Sequence, residues 1–176
     1  IGEYAFNNCH HLTGITLPNS LTSIDNDAFE GCSSLTDITI PNSVTSIGYN
    51  VFIGCENLKN VTIGTGIKTI DESVFYKCSS LTSITIPNSV TYIGRNVFGD
   101  CTNLSSVTIG TGVTAIGKQA FNGCSSLTSI TIPSSVTSIG YTAFAECSSL
   151  KTITVKATTP PTLGFYAFRG CPITTI

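Results

Sequence analysis

The stretch CSSLTSITIPNSVTYIGRNVFGDC, residues 78–101, opens and closes on cysteine. Counting outward from it, cysteines recur from Cys9 to Cys147 at intervals of 23 residues, and Cys171 follows after 24. Phenylalanines keep the same beat three residues before each cysteine, from Phe6 to Phe168, and leucines stand three after one, from Leu12 to Leu150. Self-similarity at a fixed period in the twenties means stacked coils, because one such unit cannot bury its own apolar face and the next one covers it.

Inside the stretch, Leu81, Ile84 and Ile86 alternate with Ser83 and Thr85, a period-two pattern that reads as a strand. Pro87 removes a backbone donor and stops the ladder. Val90 and Ile93 make a second apolar step on another wall of the coil, and Gly94 permits a tight turn. Val97 and Phe98 then drive inward, and Cys101 closes the coil. The segment 95–99 is too short for a free helix and predicts one helical or 3₁₀ turn held by Phe98. The expected fold is an α/β-type solenoid, a right-handed stack of about seven 23-residue coils. A continuous parallel sheet built from the first strand forms one face, and short strands and helical or 3₁₀ turns form the other.

Composition agrees. Of 176 residues 41% are hydrophobic, enough for a core, but only 10% are charged, against about 25% in an ordinary domain. Thr, Ser, Asn and Gly must therefore fill the water-facing positions. A net charge of −2 with scattered Lys and Arg argues against nucleic acid or an acidic membrane surface as partner. No apolar run is long enough for membrane insertion, and no signal peptide is present. Ile1 and Ile176 both fall partway through a repeat. The expectation is one solenoid domain over residues 1–176, truncated at both ends, with self-association through the open ends as an artefact to watch.

The recurring cysteine reads as a small, polarisable apolar side chain at the seam between coils. Stacked side chains point the same way and not at each other, which disfavours disulfides. A 23-residue column lines sulfurs up without converging them on a metal, so neither metal nor cofactor is expected.

CSSLTDITIPNSVTSIGYNVFIGC, residues 32–55, and its copies resemble the BspA-like, or treponemal-type, leucine-rich repeat family. Leu35, Ile38, Ile40, Pro41, Val44, Ile47, Gly48, Val51, Phe52 and Cys55 fall on that family's repeat pattern, and the likeness covers essentially the whole chain. The resemblance implies a leucine-rich repeat solenoid and a non-catalytic scaffold, secreted or on the cell surface, that adheres to host or cell-surface proteins. A glycan is the second class of partner. The runner-up is a spacer or stalk presenting other domains of a longer protein.

Two departures from strict repetition stand out. Pro18, Pro41, Pro87 and Pro133 follow the first strand in four repeats, but Gly64-Thr65-Gly66 and Gly110-Thr111-Gly112 stand there in two. The exchange is expected to alter the rim and leave the core alone. Residues 148–176 form an atypical last repeat with Pro160 and Pro161, a variant that in this family marks the C-terminal end of the array.

Function is sought on positions that face water. The outward column of the first strand is unbroken threonine, and beside it runs a mixed small polar column. The candidate binding face comprises Asp37, Thr39, Asn60, Thr62, Ser83, Thr85, Thr108 and Thr131. Against it stands the plain fact that threonine is a good exposed strand former. Tyr49, Tyr92 and Tyr141 form a candidate outer edge, since tyrosine is enriched at recognition surfaces. Catalysis finds no foothold: His10 and His11 lack a triad partner, and the acids near Asp25 and Asp71 face no common cleft.

Overall fold

The computed structural model describes all 176 residues. Thirteen strands, numbered in chain order, alternate between two walls of a β-solenoid. The first wall carries β2 (Asp37–Thr39), β4 (Asn60–Thr62), β6 (Ser83–Ile86), β8 (Ser106–Ile109), β10 (Ser129–Ile132) and β12 (Thr152–Val155). The second carries the two-residue strands β1 (Ser23–Ile24), β3 (Ser46–Ile47), β5 (Thr69–Ile70), β7 (Tyr92–Ile93), β9 (Ala115–Ile116), β11 (Ser138–Ile139) and β13 (Thr162–Leu163). On the first wall the stack is about six coils deep, where about seven were expected. Its terminal passes contribute single bridges only, Gly14 to Asp37 and Thr152 to Thr175.

The alternation read from the sequence holds: Ile84 and Ile86 are buried while Ser83 and Thr85 face water. Forty-six buried residues make one core. Along it Phe6, Phe29, Phe52, Phe75, Phe98, Phe121, Phe144 and Phe168 form an unbroken column with centroids 5.0–5.5 Å apart and nearly parallel rings. Each such contact is worth about 0.5–1.5 kcal/mol beyond the area it buries.

All eight cysteines are free thiols, Cys32 through Cys147 buried, Cys9 exposed and Cys171 half-buried. Their role exceeds that of a small hydrophobe. The Cys101 thiol donates to Phe75 O at 3.2 Å, and the same carbonyl accepts the Cys78 N–H at 3.2 Å. Cys55, Cys78, Cys124 and Cys147 repeat the bond at 3.2 Å. Desolvation pushes the Cys101 thiol up to about 12, aided by Asp100 and opposed by a backbone hydrogen bond. It therefore keeps the proton it donates.

The third side of each coil departs from expectation, for it contains no helix and no 3₁₀ turn. In 95–101 the N–H groups of Asn96, Phe98 and Asp100 reach forward to Lys118, Ala120 and Asn122 of the next coil at 2.8–3.0 Å. Those of Gly99 and Cys101 close local turns onto Asn96 and Phe98. Asn96 and Asp100 have φ of 54° and 55°, and every coil repeats two such left-handed residues four apart. A helix needs consecutive negative φ values and spends its donors internally. Here alternate donors are spent on the neighbouring coil instead.

The first wall is not the continuous sheet expected of it. β2 pairs with β4, β6 with β8 and β10 with β12, but no backbone hydrogen bond joins β4 to β6 or β8 to β10. The longer sheet lies on the second wall, where β5, β7, β9, β11 and β13 pair in series. The proline and glycine exchange explains the split. Gly64 and Gly110 sit against the carbonyls of Pro41 and Pro87 more closely than any Cβ allows. The corners are then locked by Thr65 N–H to Asn42 Oδ1 and Thr111 N–H to Asn88 Oδ1, both 2.9 Å. At the same place in the last pair Lys156 N–H donates to Ile132 O at 3.0 Å. Pro41, Pro87 and Pro133 have no N–H to give and carry a ring where glycine would close. Each coil with proline at this corner stands unpaired to the one before it, apart from the Gly14 bridge, so the exchange reaches past the rim. Leu17, Ile63 and Ile109, on the lips of the three gaps, are 7% exposed, whereas Ile40, Ile86 and Ile132 are at most 1%.

Candidate functional site

Three polar columns run along the first wall and its margins, and their hydroxyls are used differently. In one, Ser105 donates to Thr82 O at 3.1 Å and Thr174 to Lys151 O at 3.4 Å. In another, beyond the corner, Thr91 donates to Lys68 O, Thr114 to Thr91 O and Thr137 to Thr114 O, each at 3.1 Å. These threonines tie coil to coil. Thr16, Thr39, Thr62, Thr85, Thr108, Thr131 and Thr154 form the third column, all exposed, and their hydroxyls have no hydrogen-bond partner within the chain.

Strand pairing brings the candidate residues together in register. Asp37 lies opposite Asn60 and Thr39 opposite Thr62; Ser83 lies opposite Ser106 and Thr85 opposite Thr108; Thr131 lies opposite Thr154. Asn60 Nδ2 donates to Asp37 Oδ1, and Thr36 Oγ1 donates to Asp37 Oδ2 at 2.6 Å. These two bonds, Thr36 first, hold the Asp37 carboxyl below its ordinary value. Asp37 is therefore an anion held in place.

The unpaired gaps turn this face into a series of shallow clefts. The first lies between Thr16 and Thr39, the second between Thr62 and Thr85, the third between Thr108 and Thr131. Each has a proline at one end, Pro41, Pro87 or Pro133. Their floors are Ile15, Val61 and Val107, all half-buried, while Ile38, Ile84 and Ile130 at the same place in the intervening coils are buried. The clefts escaped sequence reasoning, although the alternation of proline and glycine and the Ile-to-Val changes at Val61 and Val107 were their signal.

The outer-edge tyrosines do not form one edge. Tyr49, Tyr92 and Tyr141 are each exposed, but Tyr92 belongs to β7 on the second wall, and Tyr49 and Tyr141 open third-side turns of different coils. Alternating side-chain direction in β7 sends Tyr92 outward from a wall the others do not share. Tyr141 meets Tyr166 edge-on at 6.2 Å, with Lys118 Nζ 5.2 Å from its ring.

Comparison with known proteins agrees with this geometry. A family model of the BspA type leucine rich repeat region, in six copies, matches residues 1–127 and 68–176. A leucine rich repeat protein of T. pallidum is 32% identical with a TM-score of 0.81, over 86% of this chain and 71% of its own. A leucine rich cell surface protein from Faecalibacterium prausnitzii is 38% identical with a TM-score of 0.71, over 82% of this chain and 39% of its own. A leucine-rich repeat protein from Eubacterium ventriosum is 31% identical with a TM-score of 0.78, over 98% of this chain and 40% of its own. The matched part is thus about two fifths of each of the last two. No curated protein matches the chain.

Proposed function

From the premise that the chain belongs to the BspA type leucine-rich repeat family, we propose that it is a non-catalytic recognition scaffold, secreted or on the cell surface, that holds a protein or glycan partner against its threonine face. The observation that carries this is the contrast in hydroxyl use. Flanking threonines bond the neighbouring coil, while the Thr39 column bonds nothing in the chain and faces water along its whole length. Many weak polar contacts on a rigid repeat sum to useful affinity when they are held in register. The F. prausnitzii relative is described as a cell surface protein, which supports the location proposed.

The test is binding of the chain to an array of matrix proteins, cell surfaces and glycans, beside a variant with Asp37→Ala, Asn60→Ala, Ser83→Ala and Thr85→Ala. Saturable binding that the variant loses bears the proposal out. A folded chain that binds nothing on the array sinks it and favours the stalk, a reading that draws on how much longer the F. prausnitzii and E. ventriosum relatives are than the part matched.

A further inference from the structure

The three clefts recur at every second coil; valine floors the second and third, at Val61 and Val107, and isoleucine floors the first, at Ile15. Their chemistry is that of an apolar strip rimmed by hydroxyls: half-buried Val61 or Val107 below, two unpartnered threonines at the lips. No backbone bond crosses the gap between β4 and β6 or between β8 and β10, so the peptide N–H and C=O groups that would pair there have no backbone partner. Around the second and third clefts the only charged lining residue is Lys156, and around the first it is Asp37, already bonded by its neighbours. Such a surface complements an uncharged molecule with both donor and acceptor groups.

Spacing selects among such molecules. Two coils advance about 10 Å, twice the usual distance between paired strands. An extended peptide covers that distance in about three residues, an odd number, so its side chains would face inward at one cleft and outward at the next. A strand wedged into the gap is also excluded. The phenylalanine column passes behind the second and third clefts unbroken, Phe75 to Phe98 at 5.5 Å and Phe121 to Phe144 at 5.0 Å, so the coils cannot part to twice their spacing. A disaccharide in an extended, equatorially 1,4-linked chain has the required length, and each such unit restores the same face. Its C–H face suits the apolar floor and its hydroxyls suit the rim.

We infer that the threonine face binds a neutral, extended 1,4-linked polysaccharide running along the solenoid axis, one disaccharide in each valine-floored cleft. This rests on the threonine face being the recognition surface, as proposed above. Val61→Ile with Val107→Ile fills two floors with the residue native at Ile38, Ile84 and Ile130, so the fold is kept.

The experiment is titration of the whole chain with cellobiose and cellohexaose, followed by calorimetry and amide chemical shifts. The hexasaccharide should bind about 10²-fold more tightly than the disaccharide. Shifts should gather at Val61, Ser83, Thr85, Val107 and Thr131, and the double valine variant should bind about tenfold more weakly. Equal affinity for the two lengths, an undiminished affinity of the variant, or no binding by the folded chain overturns the inference. If the oligosaccharides fail while a protein from the array binds and is lost in the four-alanine variant, the glycan assignment falls and the recognition surface stands. If both fail, both fall.

Discussion

The first and second walls of this solenoid are built on one core and one 23-residue period, yet they differ in order. On the second wall each coil from β5 to β13 pairs with the next, and β1 and β3 form a separate pair. The first repeats every second coil, because Pro41, Pro87 and Pro133 alternate with Gly64, Gly110 and Lys156 at one corner. The core behind both is indifferent to this: its phenylalanines keep their spacing across paired and unpaired coils alike. Packing period and surface period are therefore separable, and the surface one is written in whether a single corner residue can approach closely, as Gly64 and Gly110 do, or donate, as Lys156 does.

The harshest way to break the comparison is to remove what both walls share. Phe98→Ala deletes one ring from the column and should cost about 3–5 kcal/mol, read as a fall in the urea midpoint. Amide exchange should quicken on both walls of the coils around it, and loss confined to one wall would mean that the walls fold independently.

Next comes the thiol seam. Cys101→Ala removes the donor to Phe75 O and some volume, with an expected loss of about 1–3 kcal/mol. The same thiol gives a pH dependence. Its ordinary pKa of 9.0 is pushed up to about 12 by burial, so the folded chain holds a proton that the unfolded chain releases. That stabilisation is complete below pH 9 and is lost as pH rises toward 12. Unfolding midpoints measured across this range should fall for the wild type and fall less for the alanine variant.

A stabilising change sharpens the comparison on the third side. Thr142 is β-branched, has φ of 49°, and its buried hydroxyl has no partner. The equivalent positions hold Asn50 and Asn96, residues that tolerate the left-handed region. Thr142→Asn should raise stability by about 1 kcal/mol, seen as a higher Tm.

The smallest effect tests the corner rule itself. Pro87→Gly restores a donor and removes the ring, so β6 should close on β4 with a stability change under about 1 kcal/mol. Amide exchange at Ser83 and Thr85 should slow markedly; unchanged exchange would refute the explanation given for the split.

Much of this was legible in the residues. The columns of Phe, Cys and Leu announced the coil, and the alternation at Ser83 to Ile86 announced the first strand with its correct inward face. Thr39 and its equivalents were placed on the exposed face for the same reason. The third side was misread because its geometry is set by bonds to another coil. Lys77, Gln119 and Thr142 have no preference for positive φ, and they adopt it because their own N–H groups donate across the seam, to the carbonyls of Gly99, Tyr141 and Phe165. The pairing of coils was visible in the prolines and glycines, but its consequence depended on how closely backbones approach at a corner, a quantity that period and hydropathy do not carry. Tyr92 was grouped with Tyr49 and Tyr141 on exposure alone, which says nothing about which wall a side chain leaves.

The paired coils also set how the molecule would answer a pulling force. Stretched between its ends, the stack has its least-bonded joints where the prolines stand, so tension would peel it two coils at a time. Each release would free about 46 residues, or roughly 160 Å of chain, and a tethered solenoid of this kind would lengthen in discrete steps under load while the remaining coils kept their shape.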